Sequence, residues 1–326
     1  MQRGKLTGEE VSNEVSVIIP AWKCQVTIAR AICSALAEPE VAEVAVIDDA
    51  SSDGTVAAAR GADDGSGRLK IIEQPHNSGP AAARNLGISS TRAPLIALLD
   101  SDDFFLAGRF ATLLEVPDWD FIADNIMFVP ESLTGPVQPP RPPTIQPKLI
   151  GLEAFIEANI SRPGHFRGEL GFAKPVIRRS FLEQVGGHYD ERLRLGEDYA
   201  LYLRLLAAGG RFIRIRSCFY VATERPSSLS GMHNRADLAA LLAFDRGFMA
   251  SNTLEAPARA LLWRHIAQLE AKLHHREILD RRQRHGRVAA VRAAAARPAL
   301  LPGLISSVLR DKLGRTPAAE VRYLFA

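Results

Sequence analysis

A chain of 326 residues that is 47% hydrophobic and 24% charged can bury a large core, which excludes disordered, collagenous and disulfide-scaffold classes. Its formal charge of +3 is uneven: Lys272 to Arg315 holds eleven basic against three acidic residues, a local +8 that leaves the remainder at −5. Three cysteines, Cys24, Cys33 and Cys218, are odd in number and lack metal-ligand spacing, a pattern that fits a reducing cytoplasm.

The first residues, MQRGKLTGEEVSNE, have no apolar core and read as no signal peptide, and no stretch approaches 18 uncharged apolar residues. EVSVIIPAW (14–22) is a β-branched run that predicts a buried strand. QVTIARAICSALAE then places Ile28, Ala31, Ile32 and Leu36 on one helical face, and Pro39 ends it. VAEVAVIDDASSDGT predicts a strand running into a helix start. A short strand (RLKIIEQ), a helix near SGPAAARNLGISS and the strand PLIALLD follow. Strands alternating with helices over about 100 residues predict βαβ units and a mostly parallel sheet.

Seven prolines between Pro130 and Pro147 predict a long surface loop. Beyond it come a helix (GLEAFIEANI), a strand with a turn of helix (GFAKPVIRRSFLEQVGGHYDE), a helix with acids in its first turn (GEDYALYLRLLAAGG), and RFIRIRSCFYVA, whose alternation predicts an edge strand. From about residue 236 the text is Ala, Leu, Arg and His at helical spacing, which predicts a helical C-terminal appendage.

Two strands end in acids: Asp48 and Asp49 after VAVI, and Asp100, Asp102 and Asp103 after LIALL. Acids at one strand end can simply cap the next helix. Two such ends in one parallel sheet point instead to the cleft outside the carboxyl ends of the strands, where ligands bind. An Asp-x-Asp puts two carboxylates on one side of an extended chain, an oxygen set that suits Mg²⁺ or Mn²⁺ together with substrate phosphates.

The pieces VSVIIPAWKCQVTIARAICSAL, VAVIDDASSDGT, NSGPAAARNLGI, IALLDSDD and GEDYALYLRLLAAGG, in this order, resemble the inverting family 2 glycosyltransferases of GT-A fold. Among these the chain looks most like bacterial exopolysaccharide glucosyltransferases, and the resemblance spans roughly residues 14 to 225. It implies an α/β GT-A fold with a Rossmann-like mixed, mostly parallel sheet. The implied organisation is a GT-A domain over 14–235, with a donor half at about 14–129 and an acceptor half at about 148–235, followed by a helical basic region at 236–326.

The implied activity is metal-dependent inverting transfer of a sugar, preferentially glucose from UDP-glucose, to a saccharide or lipid-linked oligosaccharide acceptor in exopolysaccharide or cell-surface glycan biosynthesis. Asp48 or Asp49 is implied to contact the base. Pro20, Ala21 and Trp22 are implied to line the nucleotide, Trp22 and Lys23 standing where the family usually has Tyr and Asn. Asp100 and Ser101 fall at the ribose, Asp102 with Asp100 at the metal, Asp103 in support, and Arg84 at the nucleotide or its phosphates. Inversion needs a base opposite the leaving diphosphate, and the family's Glu-Asp pair lands on Glu197 and Asp198, with Asp198 the expected base.

His165 and His188 lie in the implied acceptor half and read as polar loop residues, while His265, His274, His275 and His285 fall in the helical tail without an HExxH pattern. A haloacid-dehalogenase-type phosphatase also uses Asp-x-Asp at a strand end, but wants Thr or Val where this chain has Phe104. The +8 tail offers a non-catalytic alternative, binding nucleic acid through phosphates, although it lacks interleaved aromatics and a recognisable motif. It could instead lie peripherally on the cytoplasmic face of a membrane, with Leu300, Leu301, Leu304, Ile305, Val308 and Leu309 at the bilayer surface.

Overall fold

Val15–Ala21 forms β1, a strand buried along nearly its whole length. Its two neighbours, β2 (Val41–Asp48) and β4 (Leu95–Leu98), run parallel to it, so their carboxyl ends share one edge of the sheet. β3 (Leu69–Glu73) pairs parallel with β2 at the outside. In this computed structural model the described residues are 13–133, 137–138, 145–161, 169–224, 234–295 and 321–325.

Their strands make one mixed sheet in the order β3, β2, β1, β4, β8 (Val176–Arg178), β6 (Phe121–Pro130), β9 (Phe212–Glu224) and β5 (Phe104–Phe105), with β10 (Arg322–Tyr323) on β6 and β7 (Lys148–Ile150) on β9. The longer pairings are the parallel ones, among them β6 (Phe121–Pro130) with β9 (Phe212–Glu224). The short strands β5 (Phe104–Phe105) and β8 (Val176–Arg178) join antiparallel. The βαβ half and the mostly parallel character therefore follow the sequence pattern.

Helix α1 (Ile28–Leu36) buries the four apolar residues predicted from its spacing. Helices α2 (Thr55–Gly61) and α3 (Pro80–Ser90) follow β2 and β3 as expected. α3 lies close on β1, and Gly87 is what allows it, since a Cβ there would fall 2.3 Å from Ile18 Cγ2. Gly87→Ala is expected to cost about 1–3 kcal/mol through overpacking against the rigid sheet, read as a lower midpoint in urea.

β9 is not an edge strand. It lies between β6 on one side and β5 and β7 on the other. The alternation that suggested an edge comes from Arg214 and Arg216 in its first half, and Arg214 is covered by the ring of Phe325, 4.3 Å away. Its second half, Ser217–Val221, is buried without alternation. No strand is predicted from the sequence at β6, whose apolar run is interrupted by Asp124 and Asn125. Both are buried and satisfied: Asp124 takes Arg109 and the N–H groups of Phe219 and Tyr220, and Asn125 donates to Phe325 O.

After a short α4 (Arg109–Leu114) and β6, half of the proline-rich segment 130–147 lies outside the described residues. α5 (Leu152–Ala158), α6 (Arg179–Gln184) and α7 (Glu197–Ala207) fall where the sequence placed helices. The helical C-terminal region is α8 (Arg235–Ser251) and α9 (Ala256–Ala295), the second broken at Gly286 with φ 83°. The two pack on each other, and α9 also packs on α5. The leucines at 300, 301, 304 and 309, with Ile305 and Val308, lie outside the described residues. Among those described, no helix is long and apolar enough to cross a membrane.

Candidate active site

The carboxyl ends of β1, β2 and β4 bring Pro20, Ala21, Trp22, Asp48, Asp49, Asp100 and Ser101 to one edge of the sheet. Ala21 stands in register with Asp48, and the N–H of Asp49 donates to Ala21 O at 2.8 Å. Trp22 is 45% exposed, so it is no core residue but a flat apolar face beside this edge. The hydroxyl of Ser101 neighbours Cys24 at the start of the next connection, where burial raises the thiol above its ordinary range. All three cysteines are unpaired, as their count suggested.

Adjacent acids have separate tasks. Asp49 is a scaffold: its Oδ1 accepts from the N–H of Ser78 (2.7 Å) and from Gln74, and its Oδ2 accepts from the N–H of Gly79 (2.8 Å), fixing the entry to α3. Asp48 accepts the N–H of Ser51 on Oδ2, while its buried Oδ1 has no hydrogen-bond partner. A buried carboxylate oxygen left unmatched costs free energy that a ligand donor would recover. Asp103 is scaffold as well: its oxygens accept from Tyr220 OH (2.8 Å) and Thr223 N–H (2.9 Å), and the same Tyr220 oxygen accepts the N–H of Asp100 (3.1 Å). Burial, and then the charges of Asp102 and Asp100, push the Asp103 carboxyl well above its usual range.

Two buried cations join this edge to α7. Arg84, on α3 and only 4% exposed, is not a helix-surface arginine. Its Nη2 lies 3.0 Å from Asp100 Oδ1, its Nη1 2.6 Å from Glu197 Oε1 and 4.0 Å from Asp198 Oδ1. Lys174, just before β8, places Nζ 3.0 Å from Asp100 Oδ2 and 2.7 Å from Asp198 Oδ2. Three acids thus face two cations. Burial alone would raise Asp100, but Lys174 and Arg84 outweigh it and hold its carboxyl at about 2. Burial likewise opposes the charge on Lys174, and Asp100 and Asp198 overcome it, keeping the ammonium charged.

Sequence reasoning missed Lys174. It also missed the layer beneath it, where Arg109, fully buried and paired with Asp124 (2.9 Å), donates to Lys174 O at 2.6 Å. The usable signal was a lone Lys inside the apolar text GFAKPVI. Asp198 is buried, and its Oδ1 has no hydrogen-bond partner. Glu197, in contrast, is committed to Arg84. His188 is exposed and sits beside Gly186 O, away from these contacts, and His165 lies outside the described residues.

For a divalent ion the donor set is selective. Asp100 stands against two cationic side chains, which an ion would have to displace, and Asp103 is committed to Tyr220 and Thr223. Among the described residues no three His, Cys, Asp or Glu form a metal cluster. The half-buried Asp102 stands at the same strand end, and one carboxylate together with oxygens of a phosphate-bearing ligand is a set that suits Mg²⁺ and Mn²⁺.

The family model "Glycosyl transferase family 2" matches residues 16–181. The chain is 48% identical to "Succinoglycan biosynthesis protein ExoU" of Rhizobium meliloti, with 95% of each chain covered, and 33% identical to ExoO of the same organism, covering 94% of this chain and 88% of the other. A shorter stretch, 35% of this chain and 44% of the relative, is 33% identical to an Escherichia coli "UDP-Glc:alpha-D-GlcNAc-diphosphoundecaprenol beta-1,3-glucosyltransferase". The fold is that of S. aureus TarS in complex with UDP-GlcNAc (TM-score 0.58, 19% identity, 83% of this chain and 74% of that one). It is also that of a Pyrobaculum calidifontis mannosyltransferase in complex with GDP-Man and Mn²⁺ (TM-score 0.54, 18% identity, 93% and 81%). On the family match over 16–181 and the 48% identity to a relative covered over 95% of its length, the chain belongs to glycosyltransferase family 2.

Proposed function

We propose that this glycosyltransferase moves a hexosyl group, preferentially glucose, from a nucleoside-diphosphate sugar to a saccharide acceptor carried on a lipid, with inversion, in exopolysaccharide biosynthesis. The carrying observation is the convergence of Asp198 and Glu197 on Asp100 through Arg84 and Lys174, which puts a buried acid from the acceptor half beside the strand end expected to hold the donor. The names of ExoU, ExoO and the lipid-linked glucosyltransferase support the pathway, the sugar and the acceptor class.

In this reading Asp48, through its unmatched Oδ1, accepts a base N–H, and the exposed ring of Trp22 covers the base. Arg84 and Lys174 keep Asp100 ionised and fixed at the ribose. A Mg²⁺ or Mn²⁺ held by Asp102 and the donor's phosphates would neutralise charge on the leaving diphosphate. Asp198 has Oδ2 pinned by Lys174, which leaves Oδ1 to take the acceptor's hydroxyl proton as the new bond forms. A carboxylate is a weak base, so it works here by position.

A donor panel scored by nucleoside diphosphate release, with Mn²⁺, Mg²⁺ or chelator and a diphosphoundecaprenol-linked saccharide, tests this. UDP-glucose is expected to give the fastest release, and chelator to abolish it. Equal rates in chelator would remove the metal, and a different best donor would remove glucose.

A further inference from the structure

The residue after Asp198 joins α7 to the C-terminal helices. Tyr199 is buried, its ring stacks on Phe155 of α5 with centroids 5.7 Å apart and 11° between planes, and it lies 4.9 Å from the ring of His265 on α9. Its hydroxyl donates to Asp245 Oδ1 on α8 at 3.2 Å. His265 Nδ1 stands 2.7 Å from Asp245 Oδ2. Asp245 is completely buried, so one carboxylate from α8 gathers a group from α7 and a group from α9 where water does not compete.

A second contact grips the same turn. Gly196, immediately before α7, has φ 72°, and a Cβ there would meet Leu241 Cδ1 of α8 at 3.0 Å. The chain turns into α7 pressed against α8 with no side chain between. Both sides of Asp198 along the chain are therefore set by the C-terminal helices, which carry none of the acids of the cleft.

We propose that Asp245 and His265, acting through Tyr199, are positioning residues for Asp198: the C-terminal helical region is the clamp that sets where the carboxylate stands. The proposal rests on Asp198 being the base. A base that works by position loses rate when its helix turn shifts by a fraction of an ångström, while the donor's binding groups on β1, β2 and β4 do not move.

Tyr199→Phe removes one hydroxyl and keeps the ring on Phe155, and Asp245→Asn keeps the shape while removing a charge and one acceptor. Each is expected to lower kcat by about 10- to 100-fold with the nucleoside diphosphate Kd within about twofold of wild type. Amide hydrogen exchange at Ala200 to Leu203 is expected to quicken in both variants, with or without donor. Trp263→Ala, at an exposed position of α9, is expected to change none of these. Wild-type kcat and unchanged α7 exchange in both variants would overturn the clamp, as would an equal loss of nucleotide affinity and kcat. If the wild-type protein releases nucleoside diphosphate from no donor, the proposed function fails, and the exchange experiment still judges the clamp by itself.

Discussion

Asp198→Asn is expected to slow transfer by about 10²–10⁴-fold while leaving nucleoside diphosphate affinity within about twofold. The replacement keeps size and shape, and its amide oxygen can still accept from Lys174 Nζ, so the buried bond at Oδ2 survives. What disappears is the ability to take a proton. Glu197→Gln is the informative companion, because Glu197 Oε1 is occupied by Arg84 at 2.6 Å and is expected to act as that guanidinium's anchor. Its loss should weaken turnover far less. Single-turnover rates with saturating donor check both; full activity in Asp198→Asn, or a collapse confined to Glu197→Gln, moves the base to the neighbouring residue.

Lys174→Met should be the most damaging change to stability near the site, on the order of 3–5 kcal/mol, because it strips a buried ion pair of one member. Asp198 Oδ2 would lose its donor, and Asp100 would keep only Arg84 against the burial that opposes its charge. Lys174→Arg keeps a cation, although a planar fork does not reproduce a point charge reaching two carboxylates, so partial recovery is expected. Urea unfolding of the single variants and of Lys174→Met combined with Asp198→Asn measures the coupling. The double variant should cost clearly less than the sum of the singles. A Lys174→Met midpoint equal to wild type would mean the cation holds nothing together.

The parallel strands β1, β2 and β4 and the acids at their ends were legible in sequence because their signals are local. VSVIIPA and VAVIDD are apolar runs that stop at acids, and the parallel order of β2, β1 and β4 follows from alternation with helices. The cations were not legible in the same way. Lys174 reaches Asp198 across 24 residues and Arg84 reaches Glu197 across 113, and a lysine or arginine in sequence is a surface residue by default. The different surroundings of Asp48 and Asp49 were equally out of reach, since they lie in the N–H groups of Ser78 and Gly79 that Asp49 accepts. β9 misled for a related reason: Arg214 looked like a solvated edge, and what covers it is Phe325, more than 100 residues later.

Asp49 carries one more implication. A helix that starts beside strand ends usually offers its free amides and the positive end of its dipole to a phosphate. Here the amides of Ser78 and Gly79, at the entrance to α3, are already filled by the chain's own carboxylate. An anion arriving at the start of α3 finds these two amides already taken. If the proposed function holds, the donor's diphosphate gains nothing from these two amides, and its charge falls to side chains and to any cation it brings, a division of labour decided by what the scaffold has withheld.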